Sequence, residues 1–238
     1  MENKVLVVLT QYKRQHLKTQ LIQLAAQTQK PDYLVVFQNE NHVDISNLKE
    51  IFNFIHIKSD YNTKFFGRFA ACFTFPVEYC IVMDDDMIPG KNFVKNYVDQ
   101  CRHFNAIIGG NGRIGYFNEN KARLKTCLDT GKRDAPLLTD FVGHVWCFKR
   151  MWLHMMFTFP PLTFDTGEDM HFCYSAKILG NINSIIAKQV DIEDWSDITD
   201  NKLCSDEFSS FKTTSFDLRK NVEQRFLQQF NLQLIKEN

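Results

Sequence analysis

Short, uninterrupted apolar runs alternate along the first half of the chain with segments whose apolar residues recur every three or four positions. Leu17, Leu21, Leu24 and Ala25 share one face of such a segment, which predicts a helix. Uninterrupted runs of this length are typical of strands that are buried on both faces. The order strand, helix, strand predicts a βαβ unit in a parallel sheet. The strands predicted in this half are residues 4–9, 33–37, 54–57 and 79–84, with helices between them that include residues 64–75.

The second half of the chain continues the α/β pattern with a less regular middle. A helix begins at residue 91, a strand at 106–108 ends in the glycines of 109–112, and residues 111–137 are polar and irregular. Gly143 interrupts a bent strand at 140–148. Helices at 149–157 and 168–179 follow, the latter capped by Gly180, and the last strand is 182–186. We therefore predict a single α/β domain with a mostly parallel, Rossmann-like central sheet flanked by helices.

After an acidic loop at residues 190–212, the tail of the chain predicts one amphipathic helix. Its apolar residues recur at every fourth position, and they are Leu218, Val222, Phe226, Phe230 and Leu234. This stripe drifts by about 40° per step, because four residues overshoot one helical turn. A drifting stripe suits a helix that wraps over a globular body or a second copy. Its polar remainder carries little positive charge, which disfavours anionic lipid.

Composition narrows the class of protein. The chain has 238 residues, 44% of them hydrophobic and 24% charged, as in soluble globular proteins. The formal net charge is zero, so nothing indicates affinity for nucleic acid. Seven cysteines without a CxxC pair favour a reducing compartment. The apolar run near the N-terminus is too short for a signal peptide or a transmembrane segment. We expect a soluble, cytoplasmic protein, in the host cytoplasm if the source is viral.

Three consecutive carboxylates, Asp84, Asp85 and Asp86, follow the strand predicted at 79–84. Open α/β sheets bind ligands at the carboxyl ends of their strands. Adjacent negative charges repel one another unless a cation is near. Carboxylate oxygens suit Mg²⁺ or Mn²⁺, which commonly arrive with substrate phosphates. The alternative is an acidic turn that faces solvent.

A second acidic pair, Glu168 and Asp169, follows Gly167 at the start of a predicted helix. The alternative is a helix N-terminus that the two charges stabilise through the helix dipole. A transferase needs two acidic functions, one that holds a metal on a leaving phosphate and one that accepts a proton from the nucleophile. Together with the aspartate triplet, this pair favours a functional site.

A third segment places His144 and Trp146 on the same side of an extended chain after Gly143. An aromatic ring beside a polar group suits a sugar, which offers a flat apolar face and hydroxyl groups. The alternative is core packing of Trp146 beside a hydrogen-bonded His144. A zinc set that joins these residues to His171 and Cys173 matches no known zinc spacing.

In this order, the segments resemble nucleotide-sugar glycosyltransferases of the GT-A fold, and family-2-like enzymes among them. The small members from bacteria and from large DNA viruses are especially similar. Residues 84–86 stand where that family has its DXD motif. Residues 141–150 resemble its acceptor-side strand, and residues 167–169 resemble its ED motif, whose aspartate is the usual base in inverting members. The resemblance covers about residues 4–187.

The resemblance implies how the chain is organised. Residues 1–187 would form the GT-A-like catalytic domain, with a nucleotide-binding half at about 1–110 and an acceptor half at about 111–187. Residues 188–238 would add the acidic loop and a C-terminal helix packed on that domain.

The resemblance also implies roles for individual residues. Asp86 and Asp84 would ligate Mn²⁺ or Mg²⁺, and Asp169 would be the catalytic base, with Glu168 as the alternative. His144 and Trp146 would bind the acceptor. The implied donor-binding residues are Thr10, Tyr12, Asn39, Lys64, Arg68, Asp84 and Asp85. For Lys64 and Arg68 a solvated helix face is the alternative.

Two departures from the family pattern leave points open. Many relatives complete the metal shell with a histidine after the ED helix, but no histidine follows His171 here. The acidic residues within 191–200 are Asp191, Glu193, Asp194, Asp197 and Asp200. The third ligand therefore stays open, with water or the donor diphosphate as alternatives. The ED motif also occurs in retaining members, so it does not fix stereochemistry.

The expected function is a metal-dependent hexosyl- or pentosyltransferase. It would move a sugar from a nucleoside diphosphate sugar, in the first place a UDP-sugar, to a hydroxyl of a glycan, protein or lipid-linked acceptor, with inversion. A homo-oligomer is left open. One alternative is an inactive sugar-nucleotide or glycan-binding module, against which intact Asp84, Asp86 and Asp169 argue. Another is a phosphatase or phosphotransferase of the haloacid-dehalogenase type, which would require Thr or Val where this chain has Ile88.

Overall fold

The computed structural model describes residues 2–117, 123–127, 131–209 and 216–235. Within these residues, nine strands form one sheet in the order β3-β2-β1-β4-β8-β5-β9-β7, with β6 paired to β5. The strands are β1 (Val5–Gln11), β2 (Tyr33–Asn39), β3 (Ile55–Ser59), β4 (Tyr79–Met83), β5 (Ile107–Phe117), β6 (Arg123–Cys127), β7 (Leu137–Thr139), β8 (Phe141–Lys149) and β9 (Ser184–Ile186).

Helices connect these strands and cover the sheet. They are α1 (Leu17–Ala25), α2 (Leu48–Ile51), α3 (Gly67–Ala71), α4 (Phe93–Phe104), α5 (Leu153–Thr158), α6 (Glu168–Gly180) and α7 (Phe216–Gln229). Short 3₁₀ turns lie at Cys72–Thr74, Arg150–Trp152 and Ile192–Asp194. The helix predicted at 64–75 is thus shorter than expected, because its second part is a 3₁₀ turn.

The first half of the sheet is parallel, and the second half is mixed. Strands β3, β2, β1 and β4 run parallel, as the uninterrupted apolar runs predict. Strand β8 runs antiparallel to both β4 and β5, whereas β9 runs parallel to β5. The predicted α/β class with one central sheet is confirmed. The seam between the two halves is the β4–β8 pair, and the aspartate triplet follows β4 there.

Strand β5 continues through the glycines that were expected to end it. A side chain at Gly109 would put its Cβ 2.2 Å from the Val142 Cβ, and one at Gly112 would put it 2.7 Å from the Phe141 carbonyl oxygen. These glycines therefore allow β5 and β8 to approach closely rather than forming a turn. Of the stretch predicted to be irregular, residues 118–122 and 128–130 lie outside the described residues.

The C-terminal end of α6 also differs from the prediction. Asn181, with a φ of 51°, is the left-handed residue that ends the helix. Gly180 is the last helical residue, and a Cβ there would lie 2.5 Å from the Met155 Cε. Gly180 thus serves the packing of α6 against α5.

Helix α7 packs on α6 through the middle of its apolar stripe. Phe226 is 1% exposed, and its ring lies 5.4 Å from that of His171 and 5.5 Å from that of Tyr174. The Tyr174 hydroxyl donates a hydrogen bond to Glu223 at 2.9 Å. The helix ends at Gln229, so Phe230 and Leu234 of the predicted stripe lie beyond it. In the described part of the chain, the helices are too short or too polar to cross a bilayer.

The packing of α7 predicts a large effect of truncating Phe226. We expect Phe226→Ala to lower the free energy of unfolding in urea by about 3–5 kcal/mol, because it leaves a cavity among buried rings. Gln228→Ala, at an exposed position of the same helix, should change it by less than about 0.5 kcal/mol. Equal urea midpoints for the two variants would show that α7 does not dock in solution.

Candidate active site

The aspartate triplet is held in place through its backbone. The Asp84 amide donates to the His144 carbonyl at 3.0 Å, which extends the β4–β8 ladder by one bond. The side-chain amide of Gln20, on α1, donates to the carbonyls of Asp84 and Met87 at 2.9 and 2.8 Å. The Ile198 amide donates to the Ile88 carbonyl at 2.7 Å, so the acidic loop covers the turn after the triplet.

A buried arginine, Arg68, joins the triplet to the acidic pair on α6. Its side chain is 3% exposed, and its guanidinium donates to the carboxylate of Asp84, to Glu168 Oε1 at 3.0 Å and to the Thr10 hydroxyl at 3.2 Å. The guanidinium also lies 4.8 Å from the centre of the Trp146 ring. The ends of β1 and β4 and the start of α6 therefore meet at one cation.

A second arginine, Arg14, holds the rest of the triplet. Its guanidinium donates to Asp85, lies 3.2 Å from Asp86 Oδ2 and forms two hydrogen bonds of 2.7 Å to Asp206. Burial alone would lower the pKa of Arg14, but the hydrogen bond to Asp206 and the charges of Asp85 and Asp86 raise it overall. Neither Arg14 nor Asp206 was identified from the sequence, because a contact between residues so far apart leaves no local pattern.

Asp86 is the member of the triplet that has a buried carboxylate oxygen without a hydrogen-bond partner. Burial raises its pKa to about 8, with the charge of Asp84 adding to the effect. Its Oδ1 is buried and has no hydrogen-bond partner. A divalent cation would satisfy such an oxygen, so the residues present fit Mg²⁺ or Mn²⁺. The described residues contain no group of three or more His, Cys, Asp or Glu side chains placed to hold a metal. Further ligands would therefore come from the substrate or water.

A buried carboxylate of the acidic loop stabilises the loop itself and its contact with the turn after the triplet. Asp197 is fully buried and accepts hydrogen bonds from the amides of Ile88, Thr199 and Asn201 at 3.2, 3.1 and 2.8 Å. Asp191 caps the 3₁₀ turn at Ile192–Asp194. Both residues thus have structural roles that argue against their being the missing metal ligand.

The two acidic residues at the start of α6 contact different parts of the site. Gly167, with a φ of 80°, makes the turn that begins the helix. Glu168 points to Arg68, and its pKa is raised to about 7 by burial first and then by the charge of Asp169. Asp169 is half-buried, and its Oδ2 lies 3.9 Å from where a Cβ would stand on Gly143. Asp169 therefore faces β8.

Of the residues predicted to bind the nucleotide, Asn39 is buried and Tyr12 is partly exposed. Asn39 is 4% exposed, and its side-chain amide bonds to Asn62, Thr63 and the Lys64 carbonyl. The Asn39 side chain thus stabilises the loop after β3. This structural role replaces the predicted contact with the base or ribose. The Tyr12 hydroxyl accepts a hydrogen bond from Asn62 at 3.1 Å.

The two basic residues predicted beside the nucleotide differ in exposure. Lys64 is exposed, and its ammonium lies 3.1 Å from Asp165. The guanidinium of Arg68 is instead buried among Asp84, Glu168 and Thr10. Lys64 is therefore solvated, as the alternative expected, but it lies in a turn before α3 rather than on a helix face, whereas Arg68 lies in α3 and is buried.

The predicted acceptor role of Trp146 requires correction. Trp146 is 1% exposed, its indole N–H donates to the Val142 carbonyl at 2.9 Å, and Phe69 and Arg68 cover its ring. No face of the ring is open to a sugar, so the core alternative describes this residue. Two residues before Trp146 on β8, His144 is partly exposed, and its Nδ1 is buried without a hydrogen-bond partner.

Comparisons with known proteins identify the fold. No protein-family model matches the sequence, and no curated protein matches it either. The structure is similar to that of residues 1–349 of S. aureus TarS, with a TM-score of 0.55 and 17% identity over 78% of this chain and 60% of that one. A longer structure of S. aureus TarS gives a TM-score of 0.53 and 15% identity over 80% of this chain and 37% of that one. The chain thus spans less than two thirds of either structure.

At these identities the similarity establishes the fold and not the activity. TarS is a glycosyltransferase of the GT-A type, and this chain has a glycosyltransferase-like α/β fold. The predicted GT-A-type fold is therefore confirmed.

The central position of Arg68 predicts a large loss of stability when its charge is removed. We expect Arg68→Met to lower the free energy of unfolding by about 3–5 kcal/mol, because it removes the partner of the buried Glu168 carboxylate and of the partly exposed Asp84 carboxylate. Adding Glu168→Gln should recover part of the loss. Lys95→Met, which breaks an exposed ion pair with Asp99, should cost less than about 1 kcal/mol. Urea denaturation measures all three, and an Arg68→Met protein as stable as wild type would contradict the assignment.

Proposed function

We propose that the protein is a metal-dependent glycosyltransferase that moves a sugar from a nucleoside diphosphate sugar to an acceptor hydroxyl. One observation carries the proposal. The carboxylates that follow β4 lie beside the acidic pair that begins α6, and Arg68 contacts both groups. The GT-A-type fold supports this reading of the two groups as DXD and ED motifs. The donor would be a UDP-sugar, and the acceptor a glycan, a protein or a lipid-linked sugar.

On the donor side, the proposal relies on residues at the carboxyl ends of the parallel strands. Open α/β sheets bind nucleotides at this edge. Tyr12 follows β1 and is partly exposed, and Lys64 offers a cation in the loop after β3. Arg68 and Thr10 lie beneath them and already bond to each other, so we assign them to positioning Asp84.

For the leaving group, Asp84 and Asp86 would hold Mn²⁺ or Mg²⁺, which when bound offsets the charge that develops on the departing diphosphate. The unpartnered Oδ1 of Asp86 supports this assignment. Asp85 is turned to Arg14, which fixes the orientation of the triplet, so its role is structural rather than direct contact with the donor.

For the attack, Asp169 would accept the proton of the acceptor hydroxyl. Its side chain faces β8, whereas Glu168 is engaged by Arg68, so Asp169 is the better placed of the two. A hydroxyl is too weak an acid to attack unaided near neutral pH, and a carboxylate within hydrogen-bond reach provides the base. The resemblance to inverting family-2-like enzymes supports attack from the face opposite the leaving group and hence an inverted product.

The metal assignment predicts that Asp86 and Asp85 differ. Asp86→Asn should lose the Mn²⁺-dependent part of UDP binding, because it removes a charged ligand. Asp85→Asn, the neighbouring change of the same size, should keep it. Calorimetric titration of UDP with Mn²⁺ and with a chelator measures both, and circular dichroism checks the fold. If chelated wild type binds UDP as well as the Mn²⁺-loaded protein does, the metal assignment is wrong.

The base assignment predicts the effect of Asp169→Asn. This change keeps the shape of the side chain and should lower the rate of sugar transfer by about 10²–10⁴-fold, as expected for loss of a general base. Binding of the UDP-sugar should change little. Glu168→Gln is the matched control and should cost less. An Asp169→Asn enzyme with wild-type rates would move the base elsewhere, and a product that retains the donor's anomeric configuration would rule out a single displacement.

A further inference from the structure

A β-bulge lies at His144 on β8, next to the strand that the aspartate triplet follows. Gly109 on β5 pairs with Trp146, and Asn111 pairs with Gly143. One residue on β5 therefore stands opposite two on β8, and His144 is one of these two. Bulges occur often beside active sites, where they redirect a side chain out of the strand's regular alternation.

The backbone at the bulge is strained. His144 has a φ of 64°, in the left-handed region that glycine occupies freely and other residues avoid. Such a conformation is unfavourable in a residue with a side chain. Glycine would fit this position better on conformational grounds alone. The presence of an imidazole here therefore indicates a use for the side chain.

A second polar side chain with an unmet hydrogen bond lies on the neighbouring strand. Asn111 is 2% exposed, and its Nδ2 has no partner. Its Oδ1 lies only 3.0 Å from where a Cβ would stand on Gly143, so the glycine makes room for the amide. A buried amide donor without a partner is destabilising, and a bound polar group that accepts its hydrogen bond would remove that cost.

Gly143 lies next to both residues and to the proposed base. Asp169 Oδ2 is 3.9 Å from the same Cβ position on Gly143 that the Asn111 amide approaches. His144 follows Gly143 directly in the chain, and its Nδ1 is buried without a hydrogen-bond partner. An imidazole and an amide together offer hydrogen-bond donors and acceptors, the mixture that a hydroxyl group needs.

We propose that Asn111 and His144 form a pair that binds a hydroxyl of a sugar ring and so selects which sugar lies next to Asp169. The inference rests on the proposed function and deepens it. It replaces ring stacking on Trp146, which the core excludes, with recognition by hydrogen bonds. The sugar belongs either to the donor or to the acceptor, and the two cases give different results in the test below.

The test compares His144→Gly and Asn111→Ala with wild type in calorimetric titrations, with Mn²⁺ present. The ligands are UDP and the UDP-sugars UDP-glucose, UDP-galactose and UDP-N-acetylglucosamine. If the pair binds the donor's sugar, both variants lose about three- to tenfold in affinity for the preferred UDP-sugar and none for UDP. If it binds the acceptor, affinity for the donor is unchanged and the KM for a methyl glycoside acceptor rises by the same factor.

Stability separates a binding role from a packing role. His144→Gly removes the strain, so we expect its Tm to be equal to or higher than that of wild type while it loses sugar recognition. Asn3→Gly is the matched control, since Asn3 has a φ of 63° and lies before the amino end of β1, whereas the candidate site lies at the carboxyl end of that strand. It should leave all ligand affinities unchanged.

Three results would overturn the pair. They are equal losses of affinity for UDP and UDP-sugar, wild-type affinities and KM in both variants, and a lower Tm of His144→Gly with unchanged recognition. A wild-type protein that binds neither UDP nor any UDP-sugar would instead contradict the proposed function. The pair is then tested by the same titrations with methyl glycosides alone. It is supported if wild type binds one that both variants do not, and overturned otherwise.

Discussion

The buried guanidinium of Arg68 is the contact on which the arrangement of the candidate site depends. It joins Asp84, at the end of the parallel half of the sheet, to Glu168, at the start of a helix from the second half. Buried charges are costly without partners, so each of the three groups requires the other two. The two halves of the sheet are thus joined by charge as well as by the β4–β8 ladder.

Charge balance explains why the candidate site is suited to a cation. In the described part of the chain, the guanidinium groups of Arg14 and Arg68 contact five carboxylates, on Asp84, Asp85, Asp86, Glu168 and Asp206. Negative charge is therefore in excess. The excess falls on Asp86, whose pKa is raised and whose Oδ1 has no partner. The same edge of the sheet leaves the polar atoms of Asn111 and His144 unpaired, so cation and sugar would bind side by side.

The sequence predicted the elements whose signal is local, and it missed those that depend on distant contacts. Apolar runs identified β1 and β4, and the two acidic motifs identified the edge where the site lies. The glycines of β5 were misinterpreted as a turn, because the close approach of Val142 that requires Gly109 is not visible in the sequence. The aromatic ring of Trp146 could stack on a sugar, yet its burial makes it a core residue. The contact of Arg14 with Asp206 has no sequence signal at all.

The most direct test of the account is the position of Mn²⁺ in crystals grown with Mn²⁺ and UDP. Anomalous scattering locates the metal independently of any assumption about activity. The account predicts one strong peak within coordination distance of Asp86 Oδ1, with the diphosphate of UDP on its open side at the carboxyl end of β4. A metal bound away from Asp84 and Asp86, or UDP bound at another edge of the sheet, would contradict it.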